Sequence, residues 1–158
     1  MNAQTNYSDE FLGEASLKKG AVPPYKLAKE SEHSHQVALM AWASLPDVLE
    51  RFPELKWLHA IGNGGSRGDT DQSRRIEGGK MKAEGVKRGV SDLCLPVKRG
   101  GWSGFYIELK KMPGKGVGPS EEQLEFGEFV RAQGFAFMVA YGWREARDAV
   151  IAYLTQEW

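Results

Sequence analysis

The sequence predicts a single α/β domain with a central mixed sheet of about four strands flanked by helices. The expected order is helix, strand, inserted helix, strand, strand, helix, strand, helix. Four short apolar runs, at 57–61, 90–97, 104–110 and 135–141, have the length of strands and are parted by breaks rich in glycine, proline or charge. Two serines, Ser31 and Ser120, stand where helix N-caps are needed ahead of apolar residues at helical spacing. The 158 residues, 41% hydrophobic and 27% charged, suit one compact domain, and a chain of this size buries roughly two thirds of its unfolded surface.

Residues 1–30 mix polar groups, Lys18-Lys19-Gly20 and Pro23-Pro24 without sustained periodicity and read as a poorly ordered arm, leaving 31–158 as the domain. Ser31 caps a first helix running to Trp42, with Val37, Met40 and Ala41 at helical spacing. Pro46 and Pro53 punctuate a short segment, after which 57–61 reads as a buried strand ended by Gly62-Asn63-Gly64-Gly65. From 70 to 84 the chain is polar, basic and helical in character. Its Gly78-Gly79 pair, at about 1 kcal/mol per glycine inside a helix, predicts a break or a close contact. The run 90–97 is a strand, Lys98-Arg99-Gly100-Gly101 a turn, and 104–110 the antiparallel partner. A glycine- and proline-rich loop, 113–119, leads to a helix from Ser120 to Ala132, a last strand at 135–141 and a closing helix over 143–154.

Twenty-one basic side chains balance twenty-one acidic ones, so no global positive field points to a polyanionic partner and local charge has to be inspected instead. One cysteine, Cys94, rules out an intrachain disulfide framework and fits a reducing compartment. No basic start followed by an apolar run opens the chain, and no stretch approaches the roughly 20 apolar residues a membrane span requires. The expectation is a cytoplasmic protein without a membrane, in the host cytoplasm if phage-encoded. His33, His35 and His59 lack a metal-binding spacing, although His35 lies close enough to Gln36 to touch a bound nucleic acid. The five tryptophans read as core, with Trp102 in the turn as the exception. The 62–68 glycine-rich stretch lacks the Gly-Lys-Ser/Thr ending of a P-loop, so no nucleotide cofactor is expected.

Chemistry concentrates on the third strand. Side chains alternate along it, so Glu108 and Lys110 share one face while Ile107 and Leu109 take the other. An isolated Glu-x-Lys is usually a solvent-facing ion pair. Here Asp92 sits in the preceding apolar strand, with fifteen residues between it and Glu108, which suits two hairpin-paired strands presenting carboxylates to one point. Aspartate is depleted from strands, and two close carboxylates raise each other's pKa unless a cation intervenes. A divalent ion bound by one or two carboxylates plus water matches this donor set, with Lys110 placed to act on water and phosphate.

Gly89-Val90-Ser91-Asp92-Leu93, then Tyr106-Ile107-Glu108-Leu109-Lys110, then Ser120 to Gln123, preceded by Glu32-x-x-x-Gln36 and Asn63-Gly64-Gly65, resemble the VRR-NUC branch of the PD-(D/E)XK nucleases, in its stand-alone phage or bacterial form. The resemblance spans roughly 32–141. Ser91 and Gly62 stand where that family often has proline, and neither position supplies a ligand. The resemblance implies a restriction-endonuclease-like core, Asp92 and Glu108 as ligands of Mg²⁺ or Mn²⁺, the Leu109 backbone carbonyl as a further ligand, and Lys110 as the catalytic lysine. It makes Glu32 an outer ligand or the ligand of a second ion. Gln123 belongs to a Ser120-x-x-Gln123 capping box and is also a candidate to contact Lys110 or substrate.

The implied activity is hydrolysis of DNA phosphodiester bonds. Between Arg74 and Arg88, six basic residues (Arg74, Arg75, Lys80, Lys82, Lys87, Arg88) against Glu77 and Glu84 leave a local charge of +4, a patch for phosphate contacts that position DNA without reading its sequence. Gln36, Asn63 and Arg67 complete the expected DNA-binding set. Branched DNA, including four-way junctions, and a homodimer are implied by the resemblance alone. The rivals are a non-catalytic DNA-binding subunit, disfavoured by the intact Asp92, Glu108 and Lys110, and a nucleotide-binding regulator, disfavoured by the missing P-loop lysine.

Overall fold

The structure, a computed structural model, describes residues 30–62 and 71–157, with 71–75 and 77 described through their backbone alone. Its elements are α1 (Glu32–Ala43), α2 (Pro46–Arg51), a 3₁₀ turn (Pro53–Trp57), β1 (His59–Ala60), α3 (Asp71–Ala83), β2 (Leu93–Leu95), β3 (Phe105–Lys110), α4 (Glu121–Ala132), β4 (Ala136–Tyr141) and α5 (Trp143–Thr155). The four strands form one mixed sheet in the order β1-β2-β3-β4. β1 with β2 and β2 with β3 are antiparallel, and β3 with β4 is parallel. This is the α/β class and element order expected from the sequence, with α2 added.

Local chemistry explains the pairing. Gly100 and Gly101, both at positive φ, close the tight turn between the mutually bonded Arg99 and Trp102, so β2 returns as antiparallel β3. From β3 the chain must cross over to reach β4 in the same direction, and α4 is that crossover. Ser31 and Ser120 each cap their helix in a reciprocal capping box.

Alternation along β3 sorts the layers. Phe105, Ile107 and Leu109 join Leu93 and Leu95 in the core with Leu39 of α1 and Val150 and Tyr153 of α5, the Phe105 and Tyr153 rings stacking at 4.9 Å. On the opposite face Tyr106 meets Phe126 of α4 edge-on. α4 comes close to the sheet because its buried Gly127 faces the Phe137 ring, into which any Cβ there would run. Gly89, at φ +81°, is equally tight: a Cβ would lie 2.5 Å from the Glu122 carbonyl oxygen, so the chain before β2 rests on the first turn of α4.

Four expectations need correction. The buried strand at 57–61 is a two-residue edge strand with both residues exposed, because Pro53 starts a 3₁₀ turn that carries Leu55 inward and leaves Trp57 60% exposed. The strand at 90–97 shortens to three residues: Pro96 offers no N–H to the ladder at its far end, and at its near end the register with β3 starts at Leu93, so Asp92 precedes the strand. Gly78 and Gly79 neither break α3 nor meet a close neighbour; they lie in an exposed, continuous helix with nothing within 4 Å of an added Cβ. The tryptophans sort the other way round: Trp102, the supposed exception, is half-buried against the core, while Trp57, read as core, is exposed.

Candidate metal and catalytic centre

β3 delivers Glu108 and Lys110 to the α4 side of the sheet, where both are nearly inaccessible to water, at 0% and 7% exposure. Lys110 Nζ lies 2.8 Å from Glu108 Oε1 and 3.6 Å from Glu32 Oε1 at the start of α1. Asp92 is fixed from two directions. Its carbonyl accepts the Ile61 amide at 2.8 Å, and its carboxylate Oδ2 accepts the Leu109 amide at 2.8 Å. An extended residue turns its N–H and C=O to the same side of the strand, so the Leu109 carbonyl also faces the Asp92 side, while the next carbonyl, that of Lys110, faces β4 and accepts the Gly142 amide at 2.8 Å.

Gln123 links this cluster to α4. Its Oε1 accepts the Ser120 amide at 2.8 Å while its Nε2 donates to Glu108 Oε1. The sequence leaves open a contact with Lys110 or substrate; the geometry gives Gln123 the carboxylate that Lys110 also holds. Glu108 Oε1 thus receives two donors. Glu108 Oε2 is buried and receives none among the described residues.

Electrostatics report the same imbalance. Burial pushes the Glu108 carboxyl up to about 7; the Lys110 hydrogen bond opposes this and the nearby Asp92 charge adds to it. Asp92 is raised chiefly by burial, against the lowering effect of the Leu109 amide. Burial opposes the charge on Lys110, yet its bond to Glu108 and the surrounding carboxylates hold it above the usual lysine value.

These residues fit a divalent cation: two neighbouring carboxylates of raised pKa, one bearing a buried oxygen without a donor, and a main-chain carbonyl on the same side. Among the described residues no group of three or more His, Cys, Asp or Glu side chains could hold a metal. The candidate donors, two carboxylates and a carbonyl, are all oxygen, the kind that hard cations take, and include none of the nitrogen or sulfur ligands typical of zinc.

The sequence-predicted residues divide into two groups. Glu32, Asp92, Glu108, Lys110 and Gln123 come together. Gln36 is half-buried one turn beyond Glu32. Lys80, Lys82, Lys87 and Arg88 are exposed, and Arg88 is near enough to α4 to help lower the Glu122 carboxyl, which is set mainly by its own backbone amide and Ser120. Asn63, Arg67 and the Arg74 and Arg75 side chains lie outside the described residues. His35 is not a surface contact: it is 3% exposed, and its Nδ1 accepts the Trp143 amide at 3.3 Å, giving α5 the cap that Gly142 cannot supply. Its inward position could have been read from the helical spacing that joins it to Leu39.

The mixed sheet with its single parallel pair, the crossover helix and the carboxylate–lysine cluster at the end of β3 define an α/β domain of the PD-(D/E)XK fold. A solved structure described as a "VRR_NUC domain protein" is similar, with a TM-score of 0.59 and 24% sequence identity, over 78% of this chain and 88% of the other. No protein-family model and no curated protein matches the sequence.

Proposed function

We propose that the chain is a VRR-NUC member of the PD-(D/E)XK nucleases, a Mg²⁺- or Mn²⁺-dependent enzyme that hydrolyses DNA phosphodiester bonds. The observation that carries this reading is the buried, donor-free Oε2 of Glu108 beside Asp92, with Lys110 bonded to the other oxygen of the same carboxylate. With both carboxylates ionised, an unsatisfied buried oxygen costs about 1–3 kcal/mol, which a cation shared with Asp92 would offset.

In this reading Asp92, Glu108 and the Leu109 carbonyl hold the cation. A cation held there would supply Lewis acidity, polarising a phosphoryl oxygen and favouring ionisation of water. Gln123 and Lys110 together fix Glu108 Oε1, which leaves Oε2 free for the cation, and the Leu109 amide aims Asp92 at the same point. The Lys110 ammonium, kept charged by three carboxylates, orients water and offsets negative charge developing on the phosphate. Glu32, exposed beside Lys110, is an outer ligand or serves a second ion.

The preferred substrate in this proposal is branched DNA, with four-way junctions foremost, bound partly through Lys80, Lys82, Lys87 and Arg88. Resolving a junction takes two symmetric cuts, so a two-fold homodimer goes with it. A cytoplasmic location is consistent with Cys94 as a buried free thiol. The test is a cleavage assay on linear, flapped, forked and four-way DNA with Mg²⁺ or Mn²⁺, alongside light scattering of the free protein. Metal-dependent cutting favouring the junction is expected. Absence of cutting with DNA binding intact would favour a non-catalytic subunit, and a strict monomer would remove the two-cut argument.

A further inference from the structure

The loop at 111–119 joins β3 to α4, and both its roots are tied to the buried cluster. Lys110 precedes it. Ser120 follows it, and the Ser120 amide holds the Gln123 side chain that in turn holds Glu108. Near the first root Met112 packs on Gly142, where a Cβ would come within 2.8 Å of its sulfur. In the middle the Val117 amide donates to the Gly114 carbonyl at 3.1 Å, and Gly116 sits at φ +72°. Those are the marks of a type II turn, and they put Lys115 at its outer corner.

Charge distinguishes this loop from an ordinary connection. Lys111 and Lys115 are exposed, no acidic residue occurs from 109 to 120, and neither lysine has an ion-pair partner among the described residues. They remain unpaired although Glu121 and Glu122 are exposed directly afterwards on α4. A polyanion approaching Lys110 thus meets unpaired cations on the loop, whereas on the helix flank Glu121 and Glu122 stand in its way, the latter opposed by Arg88.

We propose that this loop is a phosphate clamp for the DNA strand entering the site, with Lys111 and Lys115 making the contacts. The inference rests on the nuclease reading and extends the DNA path beyond the α3 region. Ammonium groups act as point charges on phosphate and read no sequence, so the clamp grips any strand at the site.

The test uses the full chain without divalent metal, so that nothing is cut, and measures binding of four-way DNA by fluorescence anisotropy at several salt concentrations. The double variant Lys111→Ala/Lys115→Ala should bind more weakly, with the slope of log affinity against log salt shallower by about 1.8, two contacts at about 0.9 each. Lys111→Arg/Lys115→Arg should keep the slope, as should Lys56→Ala in the exposed 3₁₀ turn. An unchanged slope in the double alanine variant, with the unaltered protein binding normally, overturns the clamp and leaves the nuclease reading standing. Failure of the unaltered protein to bind DNA at any salt concentration overturns both.

Discussion

β3 has two faces that are equally dry and chemically opposite. Phe105, Ile107 and Leu109 are within 1% of complete burial on one side, and Glu108 and Lys110 are at 0% and 7% exposure on the other. The apolar face gains roughly 25 cal/mol for each Å² taken from water. The charged face starts from a desolvation cost of several kcal/mol per ion, which a partner offsets only in part. Inaccessibility therefore says nothing by itself about whether a residue holds the domain together. Here one strand stabilises the fold on its α1/α5 side and spends stability on its α4 side, where the proposed centre lies.

The sharpest way to break this contrast is to remove charge from the polar face. Asp92→Asn or Glu108→Gln should abolish metal-dependent cleavage, a loss of at least about a hundredfold given what single electrostatic groups contribute in active sites. Both should still fold and bind DNA; full activity in either purified variant would remove it from the site. Lys110→Met should stay inactive even at saturating metal, because its charge acts on water and phosphate. Rescue by excess metal would reassign it.

The apolar face should behave oppositely. Ile107→Ala should cost about 2–5 kcal/mol of stability in urea unfolding while the folded fraction cuts at the normal rate. A large rate loss without a stability loss would mean that the two faces are not separable.

A third prediction concerns pH. With its carboxyl raised from 4.5 to about 7, folded Glu108 keeps a proton that the unfolded chain releases. Stability of the metal-free protein should therefore fall as pH rises from about 4.5 to 7, by on the order of 3 kcal/mol, and then level off. Glu108→Gln should flatten this decline, and Mg²⁺ should stabilise the protein more at pH 8 than at pH 5. Equal Mg²⁺ stabilisation at both values would disconnect the cation from this carboxylate. The smallest effect belongs outside the strand: Lys80→Ala and Lys82→Ala should each reduce the salt slope of junction binding by about 0.9, and unchanged slopes would move the DNA path off α3.

Period-two alternation and capping chemistry are local signals, so β3 and α4 were legible almost residue by residue, as was the pairing of Glu108 with Lys110. β1 was not, because Trp57 and Ile61 carry strand composition while Pro53 imposes a 3₁₀ turn that only the packing of Leu55 reveals. Asp92 falls beside Glu108 as read but just outside the strand, since the start of β2 is set by its register with β3, which begins at Leu93. The grip of Gln123 on Glu108 was beyond sequence reasoning, because it depends on how closely α4 approaches the sheet. His35 shows the same limit, its cap on α5 joining residues 108 positions apart.

That approach distance is set largely at Gly127, four residues after Gln123 and so one turn further along the same side of α4. The Phe137 ring occupies the space a side chain would need. A single added methyl would act as a shim under the helix, lifting its first turn from β3 and slackening the hold on Glu108 without touching the lysines and arginine proposed to meet DNA. The alignment of the centre is in this sense a manufacturing tolerance: an atom missing from the packing of one residue fixes the angle of a carboxylate that belongs to another.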